Sequence, residues 1–397
     1  MTRAPRVVVV GASIGGVTAA ETLRREGFDG EIVLLGDERH RPYLRPPLSK
    51  QILLGEWEPD QASTHTVAQA EELDVELRTS CTARGLDVVG RVVRTSQGDL
   101  AYDELIVATG SEPRRHPLLP MALTLRTLED ALALRDGLRS AHRVAVVGAG
   151  VLGSEIASAA RKHEADTLLL GRSGTLTLGG VGTLLSDRLA RLHEDHGVEL
   201  DLRAEIVGAE SGPDGTRIEL ADGRIELVDL VVAMIGATPR TRWLDSSTLT
   251  IADGVVCDRG GSAAPGVSAV GDVAAWVDPF TGRPSRVEHQ SNAIEQAIAV
   301  ALRIARGELG TQPVPLFWSE VHGTRIHAYG WFDPERPLVE AAGDPGIQSG
   351  TSATDSAVLL SRDDTDRVRG AIGWNAPPRD FRAARAAVLR TPELITH

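Results

Sequence analysis

The chain has 397 residues, enough for two to three domains of about 150 residues each. Its formal net charge of −13 argues against a surface built to bind nucleic acid, because phosphate contacts need dense Lys and Arg. Hydrophobic residues make up 42% and charged residues 24%, a globular composition that excludes a disordered chain.

Lysine and cysteine are both rare. The 42 basic residues include only two lysines, Lys50 and Lys162, so a retained lysine is more informative than any single arginine. Cys81 and Cys257 form no CxxC pair, and we expect two small buried residues rather than a redox dithiol. The start does not resemble a signal peptide, and no apolar run approaches the ~18 residues of a membrane span. We therefore expect a cytoplasmic chain without membrane contact.

The first predicted elements form a β-α-β unit with a glycine-rich turn. A buried strand over 6–10 precedes the turn, a helix over 17–26 follows it, and a second strand covers 31–35. Gly11 permits the tight turn, and the small Ser13, where glycine is usual, lets the backbone approach a pyrophosphate. An acid after the second strand would bind a ribose hydroxyl. The predicted dinucleotide contacts are Gly11, Ser13, Ile14, Gly15, Gly16, Asp37 and Glu38.

The pattern returns 137 residues later with a complete GxGxxG. A strand over 143–147 is followed by the glycine turn, a helix over 153–163 and a strand over 167–170. The predicted contacts are Gly148, Gly150, Val151, Leu152 and Gly153. Two such units predict two bound dinucleotides; the alternative is a duplication in which one site is inactive.

The second unit lacks the acid that would bind a ribose 2′-hydroxyl. Gly171, Arg172 and Ser173 follow its second strand instead. An Arg with a neighbouring Ser accommodates a 2′-phosphate, which an acid would repel. We therefore favour NADPH over NADH, with Arg172 as the contact.

Three later segments identify the type of protein. Residues 102–111 and 230–239 each form a strand and a turn, and 266–274 form a strand that ends in Gly-Asp. Together with the two glycine turns, this set resembles the pyridine nucleotide-disulfide reductases, flavoproteins with two dinucleotide folds. The resemblance implies FAD on the first fold and NAD(P)H on the second, with Asp272 at the flavin ribitol. It also implies contacts from Ala108, Thr109, Gly110, Gly236 and Gly271.

Further motifs resemble the ferredoxin, rubredoxin and putidaredoxin reductases that serve bacterial oxygenases and cytochromes P450. They lie at 43–50, 126–130, 292–296, 315–319 and 373–379, so the resemblance covers nearly the whole chain. It implies that Lys50 pairs with Glu155 near flavin N5 and that Trp318 lies where the nicotinamide arrives. It also assigns cofactor contacts to Arg45, Pro47, Glu288, His289 and Gln290. Leu44 and Gln290 depart from the family pattern.

Ordinary structural roles stand beside these functional ones. Lys50 can be a solvated amine, Glu155 a first-turn helix acid, and Trp318 a core aromatic. His193 and His196 lie three residues apart on a probable helix, and we expect a solvated face and no metal site.

The predicted fold class is α/β, with two Rossmann-like dinucleotide-binding domains plus a C-terminal α+β domain. The FAD domain covers 1–111 and 241–314, the NAD(P)H domain 112–240 and the C-terminal domain 315–397. In the last domain we expect strands over 356–360 and 368–372 and a helix over 379–389.

The predicted function is transfer of electrons from NAD(P)H through FAD to a [2Fe-2S] or similar ferredoxin that serves a cytochrome P450 or oxygenase. The alternatives are an NAD(P)H oxidase or other small-molecule reductase, and a non-enzymatic flavoprotein. We expect a monomer or homodimer. Because ferredoxins are usually acidic and this chain is too, docking needs a local Arg cluster. The candidates are Arg283, Arg286, Arg379, Arg382 and Arg385.

Overall fold

The computed structural model describes residues 4–63, 73–279, 281–308, 313–341 and 356–389. The helices within these ranges are α1 (Ile14–Arg25), α2 (Gln51–Leu54), α3 (Leu128–Ser140), α4 (Val151–Lys162), α5 (Ser186–Asp195), α6 (Gln290–Arg306) and α7 (Pro378–Leu389). Short 3₁₀ helices cover Pro46–Ser49, Pro59–Ala62, Gly179–Val181, Arg242–Leu244 and Gly271–Val273.

The strands of the first half are β1 (Arg6–Val10), β2 (Glu31–Leu35), β3 (Glu76–Arg78), β4 (Ala83–Asp87), β5 (Val92–Thr95), β6 (Gly98–Ala101), β7 (Glu104–Val107), β8 (Ser111–Pro113), β9 (Arg143–Val147), β10 (Asp166–Leu170) and β11 (Val198–Asp201). The later strands are β12 (Ile206–Gly212), β13 (Gly215–Leu220), β14 (Ile225–Val228), β15 (Leu230–Ala233), β16 (Ala237–Pro239), β17 (Ile251–Ala252), β18 (Gly254–Cys257), β19 (Ser262–Ala264), β20 (Val267–Ala269), β21 (Ala274–Val277), β22 (Pro284–Ser285), β23 (Leu316–Val321), β24 (Thr324–Gly330), β25 (Val339–Glu340), β26 (Ala357–Arg362) and β27 (Val368–Trp374).

The chain divides into two compact units. Unit 1 comprises Met1–Leu44, Asp60–Glu112 and Ala237–Pro313, and unit 2 comprises Arg45–Pro59, Pro113–Gly236 and Val314–His397. The assignment of FAD, NAD(P)H and C-terminal domains to the predicted ranges stays a prediction.

Unit 1 is built on a six-stranded sheet in the order β19-β20-β7-β1-β2-β3, in which only the β19–β20 pair is antiparallel. β1 lies in the middle, and its valines at 7–10 are at most 4% exposed. A strand covered on both faces needs apolar side chains in succession, which is why the alternating pattern of a half-exposed strand is missing here. The same unit contains the antiparallel sheet β4-β5-β6 and the mixed sheet β17-β18-β21-β22, in which the β18–β21 pair is parallel.

Helices α1 and α6 pack against each other in unit 1. A Cβ added at Gly15 of α1 would lie 3.6 Å from the Ala293 side chain of α6, which is ordinary van der Waals distance. Cys81 and Cys257 are buried in the hydrophobic core of this unit, as the sequence predicts.

Unit 2 repeats the parallel arrangement on a smaller scale. Its four-stranded sheet has the order β11-β10-β9-β15, with all pairs parallel, and β12-β13-β14 forms an antiparallel sheet.

The starts of both helices that follow the glycine turns were predicted too late in the sequence. α1 begins at Ile14 instead of residue 17, and α4 at Val151 instead of residue 153, because each helix begins inside its glycine motif, directly after the N-cap.

The C-terminal part of unit 2 is an antiparallel five-stranded sheet in the order β23-β24-β27-β26-β25, packed against α7. The two strands and the helix predicted here are present as β26, β27 and α7. None of the helices in the described parts of the chain has the length and apolar character needed to cross a bilayer.

Segment 45–59 also packs within unit 2. The imidazole Nε2 of His163, the residue after α4, lies 3.2 Å from the carbonyl oxygen of Leu53 in α2. α2 is followed by Gly55, whose φ of 73° is the left-handed conformation that favours glycine after the end of a helix. These contacts place the segment that carries Lys50 against α4, the helix that carries Glu155.

Candidate functional site

The glycine-rich turn of unit 1 is packed so closely that two of its glycines have no room for a side chain. Gly11 has a φ of 122°, and a Cβ there would lie 2.1 Å from the Ala108 carbonyl oxygen. A Cβ at Gly16 would lie 2.0 Å from the Gly11 carbonyl oxygen. Side chains are therefore excluded at both positions by the protein itself, independently of any ligand.

Unit 2 has the same construction. Gly148 has a φ of 119°, and its added Cβ would lie 2.1 Å from the carbonyl oxygen of Met234. At Gly153 the added Cβ would lie 1.8 Å from the Gly148 carbonyl oxygen. These two glycines let α4 pack closely against the turn after β9.

The middle position of each glycine turn, Ser13 in unit 1 and Gly150 in unit 2, differs from the flanking glycines because it has space for a side chain. Ser13 and Gly150 are the N-caps of α1 and α4, with nearly the same backbone angles (φ −108°, ψ −170° and φ −96°, ψ −168°). A Cβ at Gly150 would meet nothing closer than the Thr177 hydroxyl at 3.8 Å. The geometry thus explains why Ser13 is tolerated where the fingerprint has glycine.

The N-termini of α1 and α4 have the features of anion sites. Neither has a side-chain cap hydrogen bond or an acidic residue in its first turn. α3 is the opposite case: Thr127 and Asp130 form a capping box, with Asp130 and Glu129 in the first turn. Uncapped N–H groups and the positive end of the helix dipole fit the pyrophosphate of a dinucleotide in both units. Ile14 opens α1, and Val151 and Leu152 open α4.

The acids after β2 already have partners. Asp37 forms a 2.6 Å ion pair with Arg240, and Glu38 accepts a 2.5 Å hydrogen bond from the Tyr43 hydroxyl. A carboxylate offers about four acceptor sites, so both retain capacity for a ribose hydroxyl. Arg240 and Tyr43 were not predicted as members of this site.

A second group of predicted residues lies after β7 and β20. The Thr109 hydroxyl donates to the Arg240 carbonyl oxygen at 3.0 Å, between Ala108 and Gly110. The Ser111 hydroxyl donates to the Asp272 carboxylate at 3.2 Å. The Gly271 N–H donates to the side chain of Gln296 at 2.8 Å, which fixes the Gly-Asp turn against α6. Ser111 and Gln296 lie at the ends of the segments 102–111 and 292–296, but neither was predicted as a site residue, because the family resemblance assigns no cofactor contact to them.

The residues at 286–290, directly before and at the start of α6, make contacts within unit 1. Glu288 pairs with Arg286, which also contacts Asp253 at 3.2 Å and is only 8% exposed in its side chain. Arg286 is therefore a wrong candidate for partner docking. His289 is the N-cap of α6: its Nδ1 accepts from the Ser291 N–H at 3.2 Å, and Gln290 is the first helical residue.

A buried charged group lies in unit 2. The Lys50 ammonium is 2.7 Å from Glu155 Oε2, with the two side chains 16% and 4% exposed. The same ammonium lies 5.1 Å from the centre of the Trp318 ring. The Ser49 hydroxyl donates to Glu155 Oε2, and the Ser319 hydroxyl to Glu155 Oε1, both at 2.6 Å. Lys50 is thus held in an ion pair rather than solvated, and neither serine was predicted.

Arg45 and Pro47 flank this group. The Arg45 guanidinium donates to the Arg126 carbonyl oxygen, and Pro47 is buried within the 3₁₀ helix Pro46–Ser49. The adjoining motif at 126–130 supplies the α3 capping box. Two motifs that are distant in sequence therefore meet here.

The turn after β10 is basic. Arg172 is exposed, and a Cβ at Gly174 would lie 3.1 Å from the guanidinium of Arg203. Burial, followed by the charge of Arg172, lowers the pKa of His116 below its ordinary value. Gly236, with a φ of 92°, has nothing within 4 Å of an added Cβ.

His193 contradicts the predicted solvated face, whereas His196, the residue directly after α5, is exposed as predicted. His193 is fully buried, and its Nδ1 lies 3.0 Å from Nε2 of His322, in the turn between β23 and β24. His196 stacks on the His322 ring at 4.3 Å between ring centres. Burial, and then the neighbouring imidazoles, lower the pKa of His193 to about 4 and that of His322 to about 3. Within the described ranges, no group of three or more His, Cys, Asp or Glu side chains is arranged to hold a metal ion.

Residues 5–297 match the family described as pyridine nucleotide-disulphide oxidoreductase. The chain belongs to this family.

Relatives and solved structures agree. The ferredoxin–NAD(+) reductase subunit of a benzene 1,2-dioxygenase system from Pseudomonas putida is 32% identical, over 98% of this chain and 95% of that protein. The corresponding component of a p-cumate 2,3-dioxygenase system from the same species is 34% identical, over 96% and 92%. The putidaredoxin reductase–putidaredoxin covalent complex contains a chain with a TM-score of 0.89 and 27% identity, over 98% of this chain and 93% of that one. These findings confirm the family resemblance and the fold class predicted from the sequence.

Proposed function

We propose that this protein is an FAD-dependent NAD(P)H:ferredoxin reductase that serves a cytochrome P450 or oxygenase. The observation that carries the proposal is the Lys50–Glu155–Trp318 group. A disulfide reductase would need a reactive cysteine pair, but both cysteines are buried. Burial raises the pKa of the Cys257 thiol to about 12, so it is not a thiolate at neutral pH. The electrons must therefore leave for an external acceptor.

The predicted site residues divide by role. FAD, when bound, accepts a hydride from the nicotinamide and releases the two electrons one at a time. The α1 N-terminus, with Gly11, Ser13 and Asp37, binds one dinucleotide, and the α4 N-terminus binds the other. The Lys50 ammonium stabilises negative charge on the neighbouring cofactor, and Glu155 orients that ammonium. Trp318 offers an aromatic face to the incoming nicotinamide.

The division of the chain follows the same proposal. The FAD domain comprises 1–111 and 241–314, the NAD(P)H domain 112–240, and the C-terminal domain 315–397. The N-terminal fold positions the acids after β2 for the adenosine ribose of FAD. The second fold has Arg172 after its second strand and no such acid. This difference favours NADPH over NADH as the dinucleotide that it binds.

NADPH is the proposed electron donor. Arg172, with Arg203 close to the same turn, supplies the charge that a 2′-phosphate needs. The printed names of the two dioxygenase-system relatives carry NAD(+) and give this choice no support. The ratio of kcat/KM for NADPH to that for NADH decides it, and a ratio below one contradicts the proposal.

A [2Fe-2S] ferredoxin is the proposed partner, bound transiently by a monomer or homodimer. Arg379 and Arg382 are exposed on α7 and remain candidates for docking, whereas Arg385 lies over the Tyr329 ring at 4.4 Å. On an acidic protein, such a local basic surface is what attracts an acidic partner. Charge reversal at Arg379 and Arg382 should raise the KM for ferredoxin and leave the KM for the dinucleotide unchanged.

The test is steady-state turnover with a defined acceptor. Purified FAD-loaded protein is supplied with NADPH and a [2Fe-2S] ferredoxin, and ferredoxin reduction is compared with oxygen consumption in a parallel reaction without ferredoxin. We expect ferredoxin reduction to be the faster by at least tenfold. Oxygen consumption that matches the ferredoxin rate would instead indicate an oxidase.

A further inference from the structure

The Glu155 carboxylate receives hydrogen bonds from three side chains. Ser49 ends the 3₁₀ helix Pro46–Ser49, Lys50 follows it, and Ser319 lies in β23, 164 residues from Glu155 in sequence. The hydroxyls of Ser49 and Ser319 and the ammonium of Lys50 all end on this one carboxylate. Glu155 is thus the point at which separate segments of unit 2 meet.

Each carboxylate oxygen has its own donors. Oε2 accepts from Ser49 at 2.6 Å and from Lys50 at 2.7 Å, whereas Oε1 accepts from Ser319 at 2.6 Å. An ionised carboxylate only accepts hydrogen bonds, so both hydroxyls must donate. Ser319 is 2% exposed and Glu155 5%, so water does not readily replace a lost donor.

Lys50 itself has little else to fix it. A lysine ammonium is a point charge on a flexible four-carbon stem, and its position is set by the acceptor it meets. Ser49 lies 3.2 Å from the ammonium and Trp318 lies beside it, but Glu155 provides the charged contact. If Oε1 lost its donor, the carboxylate would no longer be fixed at both oxygens and could rotate, so the Lys50 ammonium would lose its fixed acceptor and move from its place beside Trp318.

We propose that Ser319, assisted by Ser49, is a positioning residue that fixes the Glu155 carboxylate and, through it, the Lys50 ammonium. The inference rests on the proposed function, in which that ammonium stabilises charge during hydride transfer. A merely structural hydrogen bond would affect stability without affecting the chemistry or the reactivity of Lys50.

The chain offers an internal standard for the test, because Lys162 is exposed and is the only other lysine. FAD-loaded Ser319→Ala is treated with a limiting amount of acetic anhydride, and acetylation of Lys50 relative to Lys162 is measured by mass spectrometry. We expect the ratio to rise by at least about threefold over the parent protein, because a Lys50 nitrogen that is no longer held against Glu155 is more accessible to the reagent. Ser361→Ala, which alters a buried serine of β26 outside this group, should leave the ratio unchanged.

A second readout is single-turnover flavin reduction at saturating dinucleotide. In Ser319→Ala the limiting rate should fall by about tenfold, the effect of losing one hydrogen bond to a charged group, with the dinucleotide Kd unchanged. Ser319→Thr, which keeps the hydroxyl, should restore both rate and acetylation ratio. Ser49→Ala should repeat the effect if Ser319→Ala does not fold.

An unchanged acetylation ratio in both alanine variants, or a loss of rate that Ser361→Ala shares, overturns the proposal. Failure of the proposed function would give a different experimental result. A parent protein that does not reduce ferredoxin contradicts the function, while the acetylation ratio still reports whether the serines hold Lys50.

Discussion

The glycines of the second turn have two different roles that substitution can separate. At Gly153, a methyl group would lie 1.8 Å from the Gly148 carbonyl oxygen, whereas real Cβ atoms do not approach closer than 3.0 Å. The start of α4 must therefore move by at least 1.2 Å, which is 3.0 minus 1.8. Overpacking of this kind costs about 1–3 kcal/mol, so Gly153→Ala should lose stability and dinucleotide binding together.

Gly150 should behave differently, because its Cβ position is open. Gly150→Val fits the observed extended backbone and should change stability by no more than about 1 kcal/mol, the range of N-cap preferences. Its branched side chain would nevertheless occupy the space in front of the α4 N–H groups. We expect dinucleotide affinity to fall by at least about tenfold, since approach of the pyrophosphate is blocked. Gly150→Ser, which copies Ser13 of the first turn, should keep both properties.

Two measurements on the three variants decide the matter. Urea unfolding gives the free energy of unfolding, and fluorescence titration with NADPH and with NADH gives each Kd. If Gly150→Val binds both dinucleotides as tightly as the parent protein, the α4 N-terminus is not the pyrophosphate site and the reasoning fails.

Three further predictions concern stability and specificity. Burial lowers the pKa of His193 from 6.5 to about 4, so in this window the unfolded state binds the extra proton. The free energy of unfolding should therefore fall by up to about 3 kcal/mol as the pH drops from 6.5 to 4. Urea unfolding at several pH values should show a weaker dependence of this free energy on pH for His193→Asn. Thr127→Ala removes the α3 capping box and should cost about 1 kcal/mol in thermal unfolding, and no measurable loss would contradict the cap assignment. Arg172→Glu should shift the NADPH-to-NADH ratio of kcat/KM toward NADH by at least about tenfold, and an unchanged ratio would remove Arg172 from the site.

The central strands and both glycine turns were predictable because their causes are local. Strands β1 and β9 are runs of apolar residues, and a parallel strand buried on both faces requires such a run. Gly11 and Gly148 are required by their positive φ, which the strand–turn–helix pattern already implies. The helix starts were misplaced by two to three residues because each helix begins inside its glycine motif, at Ile14 and Val151, where the glycine spacing indicates a turn rather than a helix.

What could not be predicted depends on contacts between distant residues. Ser319 lies 164 residues from Glu155, and His322 lies 129 residues from His193, so no spacing rule connects them. His193 appeared solvated because acids flank it on α5, yet the turn between β23 and β24 covers it. The Lys50–Glu155 pair was found through family resemblance and through the scarcity of lysine, whereas the serines beside it had no such signal.

The central claim is that electrons pass from NAD(P)H through FAD to a ferredoxin. The most direct measurement is an anaerobic single-turnover experiment: FAD-loaded protein is reduced with one equivalent of NADPH and then mixed with two equivalents of oxidised [2Fe-2S] ferredoxin. The account predicts that the flavin is reduced in the first step, and that in the second step the flavin is reoxidised while both equivalents of ferredoxin become reduced. Flavin that is reduced by NADPH but stays reduced in the presence of ferredoxin, and is reoxidised only when oxygen is admitted, would contradict it.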